Sequence, residues 1–152
     1  MKLVIQRVRR ARVSVAGRDV ASIGAGALIL CGVARGDTPA DAAYLARKTS
    51  QLRIYDDADG KMNLPIDPNA GAFLVVSQFT LYGDCAKGNR PSYIDAALPE
   101  DGRRLYEDYA VQLRALGHHV ETGEFGANMV VELENDGPVT LILESRGRSG
   151  FS

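Results

Sequence analysis

Strand-like patterning occupies both ends of this sequence and leaves room between them for only two helices. Near the N-terminus three stretches rich in valine, isoleucine and leucine have this character: Leu3–Val15, Val20–Ile23 and Ala27–Val33. Three more follow toward the C-terminus, at about His119–Phe125, Met129–Glu134 and Val139–Glu144. Strands clustered at the two ends of a chain favour an α+β fold over a regular alternation of strands and helices.

Helix signals appear at two places. Thr38, Pro39 and Asp41 supply an N-cap hydroxyl, a proline at the first helical position and an acid in the first turn, and this helix is expected to end near Tyr55. A second helix is predicted from Pro99 to a glycine stop at residue 117. Each has apolar residues on one face.

A further strand, Ala72–Phe79, lies between the helices, so the predicted order is β-β-β-α-β-α-β-β-β. We expect one α+β domain over residues 1–152, with β-sheets that are partly barrel-like and two helices covering one face. The length of 152 residues suits one domain.

Composition narrows the function classes. Apolar residues make up 45% and charged residues 24%, and the formal net charge of −1 means that a nucleic acid would have to be met by a local basic patch. Cys31 and Cys85 form no CxxC pair, and arginines near the N-terminus stand where a signal peptide needs an apolar core. We therefore expect a cytoplasmic protein with reduced thiols, no membrane association and no cofactor.

Metal binding has weak support. His118 and His119 are adjacent and would face opposite ways on a strand, so an ordinary surface pair is the better interpretation. The acidic stretch 56–60 resembles part of a calcium loop but lacks the glutamate at loop position twelve, and a solvated turn is expected there. No metal site is predicted.

One candidate catalytic segment is Ser77-Gln78-Phe79-Thr80, where an apolar strand ends in polar residues at a loop. The alternative is that Ser77 and Thr80 only complete the strand with local hydrogen bonds. A hydroxyl nucleophile needs a base, yet neither histidine lies in a triad motif and there is no GxSxG sequence. A hydrolase of this kind would have a hidden base or a reactive substrate.

Three other stretches suit ligand contacts. Lys87 and Arg90, in a loop with a glycine and a proline, would suit a phosphate, although a solvated turn is the simpler interpretation. Phe125 and Met129, separated by small residues, would hold a flat ring between them, or would lie in the core on either side of a turn. The arginine run that begins at Arg7 would contact phosphate, or would keep an edge strand from aggregating.

The segment Asn135-Asp136-Gly137-Pro138-Val139 puts a proline directly where a strand should begin, so that a backbone donor is lost. From the residues alone the Gly137–Pro138 peptide bond would be trans, because only about 5–6% of X-Pro bonds in folded proteins are cis.

Taken together and in this order, these segments resemble the D-aminoacyl-tRNA deacylases over nearly the whole chain. The resemblance is most specific at SQFTL (77–81) and NDGPVT (135–140), and is supported by IQRV (5–8), GKMNL (60–64) and RPS (90–92). Tyr93 stands where a phenylalanine is common.

The resemblance implies a homodimeric hydrolase that cleaves the ester between a D-amino acid and the 3′ end of tRNA, a chiral proofreading step in translation. It also implies that Gly137–Pro138 is cis, against the expectation from the residues alone, and that it enters the active site of the partner subunit. There two carbonyl oxygens of the Gly-cisPro motif would hold the substrate ammonium. An L side chain would collide with the dipeptide, so selection would work by exclusion. Glycyl-tRNA, including glycine mischarged on tRNA-Ala, would also be accepted.

The family suggests catalytic residues Ser77, Gln78, Phe79 and Thr80, with backbone N–H groups of Phe79 and Thr80 stabilising an oxyanion. Thr80 would be either the nucleophile or an orienting residue assisted by the 2′-hydroxyl of the tRNA, and we favour the second because no base is visible. The resemblance places the terminal adenine against Phe125, Gly126, Ala127 and Met129, and the tRNA would also contact Arg7, Lys87 and Arg90.

Two alternatives remain open from the sequence. One is a non-catalytic RNA-binding β domain that uses the arginine run. The other is a thiol hydrolase that uses Cys85 with His118 or His119. Neither explains why SQFTL and NDGPVT occur together.

Overall fold

The computed structural model describes residues 1–146 as a six-stranded mixed sheet, a small two-stranded sheet and two α-helices. The elements, in chain order, are β1 (Lys2–Val15), β2 (Arg18–Ile23), β3 (Gly26–Gly32), α1 (Pro39–Gln51), β4 (Tyr55–Asp56), β5 (Met62–Leu64), β6 (Ala72–Ser77), a 3-10 helix (Phe79–Tyr82), α2 (Pro99–Ala115), β7 (His119–Thr122) and β8 (Val130–Glu144). The α+β class and the order of the main elements are confirmed.

Strand β1 is the centre of the sheet because it pairs along both edges. Its first half, Lys2–Val8, pairs with β3, and its second half, Ala11–Val15, pairs with β2. The opposite edge pairs with β8 over almost its whole length. A strand that changes partners halfway bends the sheet around itself, which produces the barrel-like part of the fold.

Strands β3, β6 and β7 run parallel to one another. Parallel neighbours need crossover connections, and α1 and α2 lie in the segments that join β3 to β6 and β6 to β7. This arrangement brings the carboxyl ends of β3 and β6 to the same edge of the sheet.

The core has two parts, one on each face of the sheet. On one face the buried sides of α1 and α2, including Leu45 and Tyr109, pack against alternate residues of β3 and β6, such as Ile29 and Val75. On the other face, the intervening residues of β3 and β6, such as Leu74, pack against residues of β1, β2 and β8. The period of two along the strands accounts for this division.

Three details differ from the sequence expectation. The helix predicted to reach Tyr55 ends at Gln51, and the following residues form the hairpin β4–β5, with the acidic stretch 56–60 in and around its turn. Strand β6 ends at Ser77, and the 3-10 helix takes the next residues. The two strands predicted at the C-terminus are one strand, β8.

A buried ion cluster joins the start of β1 to the end of β3. Both the Asp37 carboxylate and the ammonium of Met1 are fully buried, with 2.7 Å between nitrogen and oxygen. The same carboxylate accepts the Ala34 N–H at 2.6 Å and lies 2.9 Å from the Arg146 guanidinium. Because each charge has a partner, the cluster is tolerated in the core.

No helix within residues 1–146 is both long enough and apolar enough to cross a membrane.

Candidate active site

A cavity of about 640 Å³ opens at the carboxyl ends of β3 and β6. Ligands of α/β sheets commonly bind at this edge. The lining comes from four parts of the chain: residues 31–35, residues 76–79, residues 93–106 and residues 125–131.

The first sequence candidate, Ser77-Gln78-Phe79, forms part of this wall. The Gln78 N–H donates to the Cys31 carbonyl at 2.8 Å, which extends the β3–β6 pairing to the strand end. The chain then turns into the 3-10 helix that begins at Phe79. The first N–H groups of a helix have no intrahelical acceptor, so those of Phe79 and Thr80 are available at the end of β6.

Thr80 is exposed and is not part of the cavity wall within this chain. Its Oγ1 accepts a hydrogen bond from the Gln78 side-chain amide. An amide nitrogen donates and cannot take a proton, so this contact orients the hydroxyl without activating it as a nucleophile.

The third sequence candidate, Phe125 to Met129, lies in the same cavity. Here the segment turns tightly, with the Ala127 N–H bonded to the Glu124 carbonyl at 3.2 Å and Gly126 at φ +77°. The Phe125 ring lies 5.9 Å from the Tyr106 ring of α2. The structure thus brings together the polar strand end and an apolar, partly aromatic surface.

Gly137–Pro138 lies outside this cavity, exposed in the middle of β8. The peptide bond is cis, as the family resemblance implied and contrary to the expectation from the residues alone. The register explains why a proline is tolerated there. Gln6 pairs with Thr140 and Val8 with Asn135, so the segment 136–139 bulges out opposite a single residue of β1.

That single residue is Arg7, which is nearly buried and fastens the base of the bulge. Its Nε donates to the Asp136 carbonyl at 3.2 Å and its Nη1 to the Ile54 carbonyl at 2.6 Å. From the other side of the bulge, the Asn135 amide donates to the carbonyls of Arg7 and Val139, at 3.0 and 3.1 Å. The structure therefore separates Arg7 from the cavity and joins it to Gly137–Pro138.

Lys87 and Arg90 are exposed in a loop that does not line the cavity. The loop is closed by reciprocal backbone hydrogen bonds between Asp84 and Ser92, at 2.7 and 2.9 Å. Tyr93 follows the loop directly and does line the cavity, so both cations lie within six residues of the cavity wall in sequence.

Sequence reasoning missed several residues of the cavity wall, above all Arg35, Tyr93, Leu98 and Tyr106. Arg35 follows β3, and its Nε donates to the Ile94 carbonyl at 2.6 Å. A basic residue at the carboxyl end of a buried strand was the available signal.

The thiol-hydrolase alternative has no geometric support. Cys85 follows the carboxyl end of β6, whereas His118 and His119 lie at its amino end, where Ala72 pairs with His119. Six residues of strand separate these ends by about 20 Å. Cys31 lines the cavity, but burial raises its pKa to about 12, so this thiol stays protonated and unreactive.

Both histidines also have other contacts. His118 is buried beside Phe73, its Nε2 lies 2.7 Å from Ser50 Oγ, and burial lowers its pKa. His119 Nε2 lies 3.0 Å from a Glu121 carboxylate oxygen. In the described part of the chain, no three His, Cys, Asp or Glu side chains are grouped as a metal site would require.

Comparison with known proteins points in one direction. Residues 4–144 match the family model described as D-Tyr-tRNA(Tyr) deacylase. A protein of Heliobacterium modesticaldum named D-aminoacyl-tRNA deacylase is 54% identical over 97% of this chain and 98% of its own length. One of the same name from Thermus aquaticus is 53% identical over 99% of each chain.

Two solved structures share the fold. The c-Myc DNA Unwinding Element Binding Protein superposes with a TM-score of 0.88 at 38% identity, covering 95% of this chain and 98% of its own. A probable eukaryotic D-amino acid tRNA deacylase superposes with a TM-score of 0.74 at 17% identity, covering 94% and 98%. The second likeness concerns the fold alone.

Proposed function

This chain belongs to the D-Tyr-tRNA(Tyr) deacylase family, and from that premise we propose that it hydrolyses the ester between a D-amino acid and the 3′ end of tRNA. The family match and the relatives of this name, which align over nearly the whole chain, support this activity. The observation that carries the proposal is that one cavity joins the SQF strand end to the Phe125–Met129 turn. We further propose that residues 1–152 act as a single domain in the cytoplasm, as a proofreading enzyme of translation.

The two parts of the cavity suit the two parts of the substrate. The terminal adenine would pack against Phe125 and Met129, with Gly126 and Ala127 allowing it close to the backbone. Stacking of this kind contributes about 1–3 kcal/mol per base. The ester carbonyl would then lie at the end of β6, where the N–H groups of Phe79 and Thr80 can stabilise the developing negative charge.

Chiral selection is proposed to come from a second copy of the chain. Gly137–Pro138 is exposed on β8 and does not line the cavity of its own chain, which supports a role at the substrate of a partner subunit. In a homodimer, each bulge would enter the cavity of the other copy. The backbone carbonyls of the glycine and the proline would accept hydrogen bonds from the substrate ammonium. The rigid dipeptide would occupy the space that an L side chain needs and so exclude it.

Water is the proposed nucleophile, with the 2′-hydroxyl of the terminal ribose assisting. Attack on the ester carbonyl forms a tetrahedral oxyanion, and its collapse releases the 3′-oxygen of the tRNA, which takes up a proton. Ser77 and Gln78 would shape the site, and Thr80 would orient the substrate. This assignment agrees with the contact of Thr80 with an amide donor and not with a base.

Replacing Thr80 with alanine is therefore expected to keep substantial activity, with kcat/KM for a D-aminoacyl-tRNA lowered by no more than about tenfold, as for loss of one hydrogen bond. Single-turnover deacylation measures this. A fall to the rate without enzyme would make Thr80 the nucleophile. Thr38→Ala, at the start of α1, is the matched control for loss of a hydroxyl away from the cavity.

The decisive experiment compares D-tyrosyl-tRNA, L-tyrosyl-tRNA and glycyl-tRNA, the last charged on tRNA-Ala. We expect hydrolysis of the D-tyrosyl and glycyl esters and resistance of the L-tyrosyl ester, because glycine has no side chain to exclude. Equal rates for both tyrosyl esters would contradict the exclusion model. An intact glycyl ester at enzyme levels that clear the D-ester would contradict its extension to glycine.

The same assay distinguishes the non-catalytic alternative. An RNA-binding domain would retain a D-aminoacyl-tRNA on a filter without releasing the amino acid, whereas the proposed enzyme releases it repeatedly.

A further inference from the structure

Arg35 is a cation at the cavity wall, and among the described residues only its Nε has a hydrogen-bond partner on the guanidinium. The Nε atom is fixed by the Ile94 carbonyl at 2.6 Å, and the backbone N–H of Arg35 donates to the Asp95 carbonyl at 3.0 Å. Among the described residues no carboxylate lies within ion-pair distance of this guanidinium. By contrast, Arg7, Arg9, Arg10 and Arg12 on β1 all pair with carboxylates.

Arg35 also lines two cavities, the 640 Å³ cavity and a smaller one of about 340 Å³. Held at Nε, Arg35 presents its two terminal nitrogens in a fixed orientation. An anion at this position would be bound with little loss of side-chain freedom.

An exposed aromatic surface lies beside Arg35. Tyr93 is 40% exposed, and its ring is held edge-on against Phe79, with 5.1 Å between centroids and 68° between planes. Ile94 and Leu98 extend this surface, at 70% and 57% exposure. A fixed cation beside an exposed aromatic ring is the combination that single-stranded nucleic acids bind.

We propose that Arg35 and Tyr93 form a binding subsite for the second nucleotide from the 3′ end of the RNA strand. Arg35 contacts the phosphate that links this nucleotide to the terminal one, and the ring of Tyr93 packs against its base. The inference rests on the proposed function, since it assumes that the terminal adenosine occupies the cavity.

The surrounding charges favour this path for the strand. Asp95 and Glu144 line the smaller cavity together with Lys2 and Arg146; Lys2 pairs with Glu144 at 3.4 Å, and Arg146 pairs with Asp37 at 2.9 Å. Among the described residues the wall of the larger cavity includes no acidic residue, so a phosphate on the Tyr93 side of Arg35 meets no carboxylate. Beyond Tyr93 the chain leads back to the loop with Lys87 and Arg90, neither of which has a carboxylate partner among the described residues.

The test compares two substrates that share the reacting ester. One is a D-amino acid on the 3′ end of a short CCA oligonucleotide. The other is the same amino acid on adenosine alone, which lacks the phosphate and the second base. Arg35→Gln is expected to lower kcat/KM for the oligonucleotide about tenfold more than for the adenosine ester, as for loss of one charged hydrogen-bonding group. For the oligonucleotide, the slope of log kcat/KM against log salt concentration should be about 0.7 smaller in magnitude for Arg35→Gln than for the wild type, because one phosphate contact on a single strand is lost.

Tyr93→Ala and Tyr93→Phe test the base contact in the same way. Alanine is expected to reduce the preference for the oligonucleotide, and phenylalanine to retain it, because the ring and its packing on Phe79 remain. Arg47→Gln, which removes an exposed charge from α1, should change neither rate.

An equal loss on both substrates would assign Arg35 to support of the site and overturn the proposal, as would no loss on either. Failure of the wild-type protein to cleave either ester would instead refute the proposed function. The two failures are therefore distinguishable.

Discussion

Replacing Gly137 with alanine is expected to lower kcat/KM for a D-aminoacyl-tRNA by about 100-fold, the cost of displacing a substrate-positioning group by roughly 1 Å. Gly137 has φ +119°, a conformation that residues with a side chain rarely adopt. An added Cβ would lie 2.9 Å from an Arg7 guanidinium nitrogen and 3.2 Å from the Val139 backbone nitrogen. Arg7 can move, but the backbone of β8 cannot move without disturbing the bulge.

The measurement is deacylation of D-tyrosyl-tRNA and L-tyrosyl-tRNA by the variant, alongside its thermal unfolding. Gly17→Ala is the matched control: Gly17 also has positive φ, at +80°, but an added Cβ there meets nothing within 4 Å. The control should lose about 1 kcal/mol of stability at most and keep its activity. A Gly137→Ala protein with normal rate and normal discrimination would remove Gly137–Pro138 from the proposed mechanism.

The second large effect concerns stability. Replacing Asp37 with asparagine is expected to lower the free energy of unfolding by about 3–5 kcal/mol, because it removes the counter-charge of a buried ammonium. The carboxylate and the Met1 ammonium are both inaccessible to solvent, 2.7 Å apart. Asparagine keeps the size of the side chain and one acceptor for the Ala34 N–H, so the loss reports the charge.

Denaturant unfolding measures this loss, and Glu107→Gln is its control. Glu107 pairs with Arg103 on the surface of α2 at 3.0 Å and is 56% exposed, so its replacement should cost less than about 1 kcal/mol. If the two variants were equally stable, the buried cluster would contribute no more than an exposed ion pair. The Met1 ammonium would then have to be stabilised by Ser145 Oγ, which lies 2.6 Å away.

The strands and helices were predictable where local pattern decides them. The strand-like stretch at Leu3–Val15 and the helix start at Thr38 depend on neighbouring residues, and both appear as expected. The single long β8 was not predictable, because Asp136-Gly137-Pro138 has the composition of a turn. Only pairing with β1 shows that this segment is a bulge within one strand.

The residues of the candidate site were likewise predictable only where a short segment of sequence is sufficient to identify them. Ser77–Phe79 and Phe125–Met129 were found because each is a short segment with its own chemistry. Arg35 and Tyr93 were missed because they are far apart in sequence, and they meet only after β3 pairs with β6 and the loop following β6 returns to Ile94. The sequence predicted a tRNA contact for Arg7 but not its contacts with Ile54 and Asp136, because both residues are distant from it along the chain.

The fastening of the Gly137–Pro138 bulge by Arg7 has a consequence for fidelity under heat. Arg7 belongs to the strand that pairs along both of its edges, so the bulge is held by the most interconnected part of the fold. An element held in this way keeps its shape until the sheet itself opens. If Gly137–Pro138 selects the substrate as proposed, discrimination between the D- and L-esters should persist on warming up to the melting transition and be lost together with the native state. In an organism that uses such an enzyme, heating would lower the amount of active enzyme before it lowered the selectivity of each folded molecule.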